Sequence, residues 1–196
     1  MLSFRKMLDT DQDMVLRWRL QPEVADFMVT EVENDIVRQR QWFAAIKDSC
    51  AALYWIIEFD GRPVGVINLA AIDRANRHAT WGLYIGEKLT SPIGGMIPVY
   101  FYNYVFSRSD LNLHKLYGMV LETNVGMLKM HDVCGYRKVG VHMDHVWRNG
   151  RSFNVRVVEL LRDTWMSKGR RFAAFQAPFE TWSNVAKPTE SDGVDE

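Results

Sequence analysis

Cysteine is nearly absent from this chain: two in 196 residues, Cys50 and Cys134, far apart and outside any Cys-x-x-Cys or His-rich setting. That argues against a disulfide framework and a cysteine-built zinc site, and it leads us to expect a reducing, cytoplasmic location. Nor does one sign of charge dominate. The 24 lysines and arginines balance 24 aspartates and glutamates, which leaves no global field for holding nucleic acid or an anionic membrane. No stretch approaches the roughly 18 consecutive apolar residues of a membrane span, and the opening MLSFRKMLDTDQDM carries charges where a secretory signal would be apolar. No metal, nucleic-acid partner or membrane partner is therefore expected. Recognition should be local, with a homodimer left open.

What is present is enough for a core. Hydrophobic residues make up 47% and aromatics 12%, which at this length favours one domain with one substantial interior. Only the end changes character, turning from about Ala173 to Pro, Ser, Thr and acids. Residues 1–172 are expected to form the domain, and 173–196 a tail that is partly disordered.

Along the chain, Ser3 to Lys6 reads as a strand, and Asp9-Thr10-Asp11 precedes a helix in which Met14, Val15 and Trp18 recur at helical spacing. Gln21-Pro22 stops it. A second helix over residues 36–47 would draw its apolar contacts from Val37, Trp42, Phe43 and Ile46. Two β-rich runs flank the hairpin signal Asp60-Gly61, and HATWGLYIG supplies a third strand. MIPVYFYNYVFSRS is too long for a strand and apolar around most of its circumference, as a buried helix is. Then follow a strand (KLYGMVL), a helix ended by Gly135, and a hairpin across Arg148-Asn149-Gly150-Arg151. The order β-α-α-β-β-β-α-β-α-β-β fits an α+β, or layered α/β, domain: a mixed, mainly antiparallel sheet of about seven strands flanked by helices.

Some side chains can be placed by spacing alone. Arg17 and Arg19 cannot share a face of one helix, and Trp18 at helical spacing suits a core position at least as well as a ligand contact. His142 and His145, three apart on a strand, should point to opposite faces and form no ligand pair. His78, at the start of a strand, is expected to be exposed.

The element order resembles the GNAT acetyltransferase fold, and two local motifs carry the likeness further. In WGLYIGEKLTSPIGGMIPVYF a Gly-containing loop leads into a helix, where GNAT enzymes turn backbone N–H groups toward the pyrophosphate of coenzyme A. Here the usual pattern is altered, with Pro92 in one glycine position. The second motif has Asn, an apolar residue three later, Tyr seven later and Gly-Phe eleven later; this chain has Asn124, Met127, His131 and Gly135-Tyr136. Within the superfamily, Arg17-Trp18-Arg19, Pro22-Glu23-Val24, Met28 and Trp42-Phe43 are similar to the N-acetyltransferases of pseudaminic-acid biosynthesis, which serve flagellin glycosylation.

The resemblance implies acetyl-CoA as co-substrate and, as acceptor, the 4-amino group of a UDP-linked 4-amino-4,6-dideoxy sugar. It assigns the thioester oxygen to a backbone amide among Leu83, Tyr84 and Ile85, the pyrophosphate to Ile93, Gly94, Gly95 and Met96, and the pantetheine arm to Asn124 and Met127. His131 stands where the family has a tyrosine, and as an imidazolium it would protonate the leaving thiolate. Glu122 is the candidate base, acting through water. Arg17, Trp18 and Arg19, with Met28 and Trp81, are the candidates for touching the acceptor. Two other readings stay open: an acetyltransferase of protein N-termini, and a non-catalytic module that binds coenzyme A.

Overall fold

The structure, a computed structural model, describes residues 1–89 and 92–181, without the side chains of residues 92, 169 and 170. Residues 182–196, part of the expected tail, lie outside the described residues. Among the described residues seven strands form one sheet: β1 (Leu2–Lys6), β2 (Leu53–Phe59), β3 (Arg62–Asp73), β4 (His78–Ile85), β5 (Lys115–Leu121), β6 (Arg137–Arg148) and β7 (Arg151–Leu161). Their order across the sheet is β1-β2-β3-β4-β5-β7-β6. Every neighbouring pair is antiparallel except β4 and β5, which run parallel. The expected mixed, mainly antiparallel α+β sheet is what forms.

Local chemistry explains the tight connections. Asp60-Gly61 joins β2 to β3 and Asn149-Gly150 joins β6 to β7, with all four residues at positive φ. That is the conformation of two-residue hairpins whose twist matches the strands, and Asp-Gly and Asn-Gly adopt it at least cost.

Among the described residues six α-helices cover the sheet: α1 (Gln12–Leu20), α2 (Pro22–Ala25), α3 (Ile36–Ile46), α4 (Ile97–Ser107), α5 (Val125–Cys134) and α6 (Arg162–Lys168). One face carries the larger core, where Phe101, Tyr102 and Val105 of α4 meet Trp55, Leu69 and Leu116 of the sheet. The other face packs Val15 and Trp18 of α1 and Phe43 of α3 on Ile56 and Val66. Because both faces are covered, β2 buries Trp55 and Ile57 on one side and Ile56 on the other, and its sequence is apolar without alternation. Among the described residues no helix is long and apolar enough to cross a membrane.

Four expectations need correction. Pro22 stops α1 but also starts the short helix α2, since proline's fixed φ suits a first helical turn. Val37 is 59% exposed and supplies no core contact. Gln39 is buried on α3 instead, its amide donating to Gln12 Oε1 at 2.9 Å. His142 and His145 are stacked with ring centroids 4.7 Å apart. The β6–β7 register slips between His142 and Val146, with Asp144 at φ 50°, so a bulge cancels the alternation that would have separated them. His78 is half-buried against Tyr117, with Nε2 3.9 Å from Asp73.

The domain also runs past residue 172. The Phe179 ring stacks between Phe4 and Tyr104, at 3.9 Å from each. Phe4 N–H donates to Pro178 O, Glu180 N–H donates to Phe4 O, and the Trp55 indole N–H donates to Glu180 O. Residues 173–181 are a strap across β1 and α4, so the expected boundary at 172 falls short.

Candidate active site

Parallel pairing between β4 and β5 lasts for three residue pairs, from His78↔Lys115 to Thr80↔Tyr117. Beyond it the strands part, and Trp81–Ile85 and Gly118–Leu121 line a wedge. On its other side β4 stays paired with β3, and just past its end Gly86 N–H donates to Val64 O at 2.9 Å. An antiparallel ladder alternates, so the amides of Leu83 and Ile85 turn away from β3 and into the wedge. Backbone N–H groups turned into a cavity in this way are able to donate to an anionic oxygen.

A cavity of about 160 Å³ fills the wedge, lined by Trp81, Leu83, Asn124, Met127 and His131, with Met28 and Thr30 over it. The sequence places each of these. Asn124 Oδ1 accepts from Met127 N–H at 3.1 Å and caps α5, while Gly135 at φ 90° ends that helix. Asn124 therefore holds the start of α5, and α5 in turn directs Met127 and His131 at the cavity.

His131 is 3% exposed, stacked on Tyr136 at 4.1 Å and edge-on to Trp81 at 5.9 Å. Among the described residues neither ring nitrogen has a hydrogen-bond partner. Burial pushes its pKa down to about 4 against a weak opposing pull from Asp132, so at neutral pH it is an uncharged imidazole. The expected imidazolium is corrected: desolvation outweighs proton affinity in this aromatic setting. Among the residues lining the wedge cavity, His131 is the one with a titratable side chain.

A second cavity, of about 460 Å³, lies on the opposite face of β4 under α1, α3 and the segment 28–35. Arg19, Trp42, Tyr54 and Tyr84 form its walls. Met28, Thr30 and Leu83 belong to both cavities, so the two spaces meet at the strand edge that carries the free amides. Burial drives the Tyr84 phenol well above its ordinary pKa, partly offset by Arg19.

Arg19 is 9% exposed. Its Nη2 donates to Thr30 O and Oγ1, both at 3.1 Å, and its guanidinium lies 5.6 Å from the Tyr84 ring centroid. Nη1 is buried and has no hydrogen-bond partner among the described residues. Burial lowers the Arg19 pKa, Tyr84 and Tyr54 pull it back in part, and Arg148 adds the smallest of these effects, downward.

Three expected contacts are not brought here. Arg17 projects from the other side of α1 into a shallow surface depression with Asp13, Leu20 and Ile36. Trp18 is fully buried in the smaller core, its indole N–H donating to Glu87 Oε1 at 2.8 Å. Glu122 lines neither cavity; Asn154 and Arg156 both donate to its carboxylate and hold its pKa below the ordinary range. That environment weakens a base. Ile93, Gly94, Gly95 and Met96 also lie outside both cavities, in a 3₁₀ turn that runs into the start of α4, and no side chain caps that helix.

Sequence reasoning missed Thr30, Tyr54 and Arg148. Thr30 lies in a stretch with no periodicity and Tyr54 in a strand whose apolar run hides its orientation. Arg148 acts on residues more than a hundred positions earlier.

No curated protein matches the sequence. Solved structures do match by shape. The spermidine N-acetyltransferase of Vibrio cholerae in complex with CoA and spermine aligns with a TM-score of 0.77 at 18% identity, over 84% of this chain and 98% of that one. A dodecameric structure of the same enzyme in an intermediate state aligns at 0.72 and 18% identity, over 86% and 98%. At such identity the likeness speaks for the fold. A family model described as acetyltransferase (GNAT) domain matches residues 2–137, and the chain belongs to that family, as an acetyl-CoA-dependent N-acetyltransferase.

Proposed function

We propose that the chain acetylates a primary amine on an acceptor that carries anionic oxygens at its other end: the UDP-linked 4-amino-4,6-dideoxy sugar of the N-terminal resemblance, on the route to pseudaminic acid and flagellin glycosylation. The observation that carries this reading is Arg19, which lines the larger cavity and whose buried Nη1 has no hydrogen-bond partner among the described residues. Leaving a buried donor unmade costs about 1–3 kcal/mol, more for a charged group, and an anionic oxygen removes that cost. Trp42, Tyr54 and Tyr84 offer aromatic faces to a planar base.

A polyamine is the second reading, because Glu31, Glu33 and Asp35 line the same cavity and the Vibrio cholerae enzyme is named for spermidine. Those carboxylates are already matched by arginines, however. Glu31 pairs with Arg148, and Glu33 and Asp35 pair with Arg38. A polycation would then face Arg19.

The wedge suits the thioester end of acetyl-CoA: free strand amides, an apolar lining and a buried imidazole with both nitrogens open. In this account Asn124 and Met127 border the pantetheine arm, and the uncapped start of α4, with Ile93 to Met96 before it, faces the pyrophosphate. The Leu83 and Ile85 amides would take the oxygen charge that develops as the amine attacks. His131, neutral, would donate one N–H to the sulfur. The nitrogen loses a proton as the amide forms and the sulfur gains one as it leaves, so the exchange balances without Glu122. Acting on an oriented pair, the protein supplies mainly proximity and a dry site.

Mass spectrometry of acetyl transfer to a panel of UDP-amino sugars, polyamines and peptide N-termini tests the assignment. Turnover of the nucleotide sugars supports it. Turnover confined to polyamines or peptides refutes it.

A further inference from the structure

The segment between α2 and α3 contributes Met28 and Thr30 to both cavities, yet it has little structure of its own. Among the described residues, the backbone between Val29 and Asn34 makes no hydrogen bond to another element except where Arg19 donates to Thr30 O. Side chains hold it instead. Arg19 of α1 grips Thr30, Arg38 of α3 pairs with Glu33, and Arg148, at the end of β6, spans the gap from the far edge of the sheet. Arg148 Nη1 donates to Ala25 O at 3.0 Å, Nη2 to Met28 O at 2.8 Å, and Nε to Glu31. Its side chain is 10% exposed while that of Arg38 is 65% exposed, so the Arg148 contacts are shielded from water and the Arg38 pair is screened.

We infer that Arg148 is a positioning residue for acceptor binding, tying the β6–β7 hairpin to the segment 25–31 and fixing Met28 and Thr30 where the two cavities meet. Three donors in a rigid fork meet two carbonyls and a carboxylate, a geometry that an ammonium cannot reproduce. Through Thr30 the tie also reaches Arg19, so Arg148 governs the orientation of the unpartnered Nη1 without touching the acceptor. The effect on acceptor affinity rests on the acceptor reading above; the effect on the segment does not.

The test uses Arg148→Ala and Arg148→Lys in the full chain, read in two ways. By hydrogen exchange without any acceptor, amides of residues 26–34 should exchange at least about tenfold faster in Arg148→Ala, while those of β3 and β7 stay protected. In steady-state kinetics the acceptor KM should rise about tenfold or more with kcat changed less than about threefold, and the affinity for acetyl-CoA by calorimetry should be unchanged. Arg148→Lys, keeping the charge opposite Glu31 but not the fork, should fall between. Unchanged exchange in a folded Arg148→Ala protein overturns the inference, and so does exchange that rises equally in β3 and β7, the mark of a merely structural residue. If the acceptor reading alone is wrong, the wild type fails to turn over nucleotide sugars while the exchange in 26–34 still responds.

Discussion

Gly86, just past the end of β4, lies directly beneath the indole of Trp18: a β-carbon built there would overlap Cγ, Cδ1 and Cδ2 of the ring. This close approach fixes α1 against the sheet and makes Trp18 a packing residue. It also explains why a glycine follows the strand, since any side chain would push the helix away.

Gly86→Ala should therefore destabilise the fold. Overpacking costs roughly 1–3 kcal/mol when neighbours can shift, and the fully buried Trp18, also tied to Glu87, has little room. At roughly 2–4 °C per kcal/mol for a chain of this size, the melting temperature should drop by about 2–12 °C. Calorimetry that finds the variant as stable as the wild type would mean that α1 is not seated where the structure has it.

How far the sequence could be read depends on the range of each interaction. The two hairpins, the capped helix from Asn124 to Gly135 and the buried helix α4 follow from neighbours a few residues apart, and all were legible. Trp18 was not settled, because helical spacing marks a face without saying whether sheet or ligand covers it. Asp144 undid the alternation of His142 and His145 through a bulge that no local signal announces. Arg148 and Phe179 act on residues far away in the chain, beyond the reach of any local period.

The strap should prove part of the domain. Removing the Phe179 ring leaves Phe4 and Tyr104 facing a gap, and Phe179→Ala should cost about 2 kcal/mol or more. A chain ending at residue 172 should unfold at lower urea concentration than one ending at residue 181. Equal stability for the shorter chain would restore the boundary at 172.

Burial of His131 has a consequence for acid stability. Its folded pKa is about 4 against an ordinary value of 6.5, so between these limits the unfolded chain binds a proton that the folded one refuses. The contribution of His131 to stability should fall by roughly 3 kcal/mol as pH drops from about 6.5 to about 4. His131→Phe should flatten that slope in urea titrations at successive pH values. A slope that survives the substitution would place the proton on another group.

The same burial bears on catalysis. A neutral His131 imposes no alkaline limb of its own on kcat near pH 6–7, and His131→Ala should lower kcat by roughly tenfold to a hundredfold through a lost hydrogen bond to sulfur, leaving acetyl-CoA affinity nearly intact. A wild-type rate, with chemistry shown to be limiting, would remove His131 from the reaction.

The central claim is that Arg19 selects an anionic acceptor, and kcat/KM of the wild type and of Arg19→Met for a UDP-4-amino sugar and for spermidine tests it most directly. The account predicts that the wild type prefers the nucleotide sugar and that Arg19→Met lowers its kcat/KM about tenfold to a hundredfold, the worth of a charge-assisted hydrogen bond, while spermidine gains or is unchanged. A wild type that prefers spermidine, with the nucleotide sugar indifferent to Arg19→Met, would contradict it.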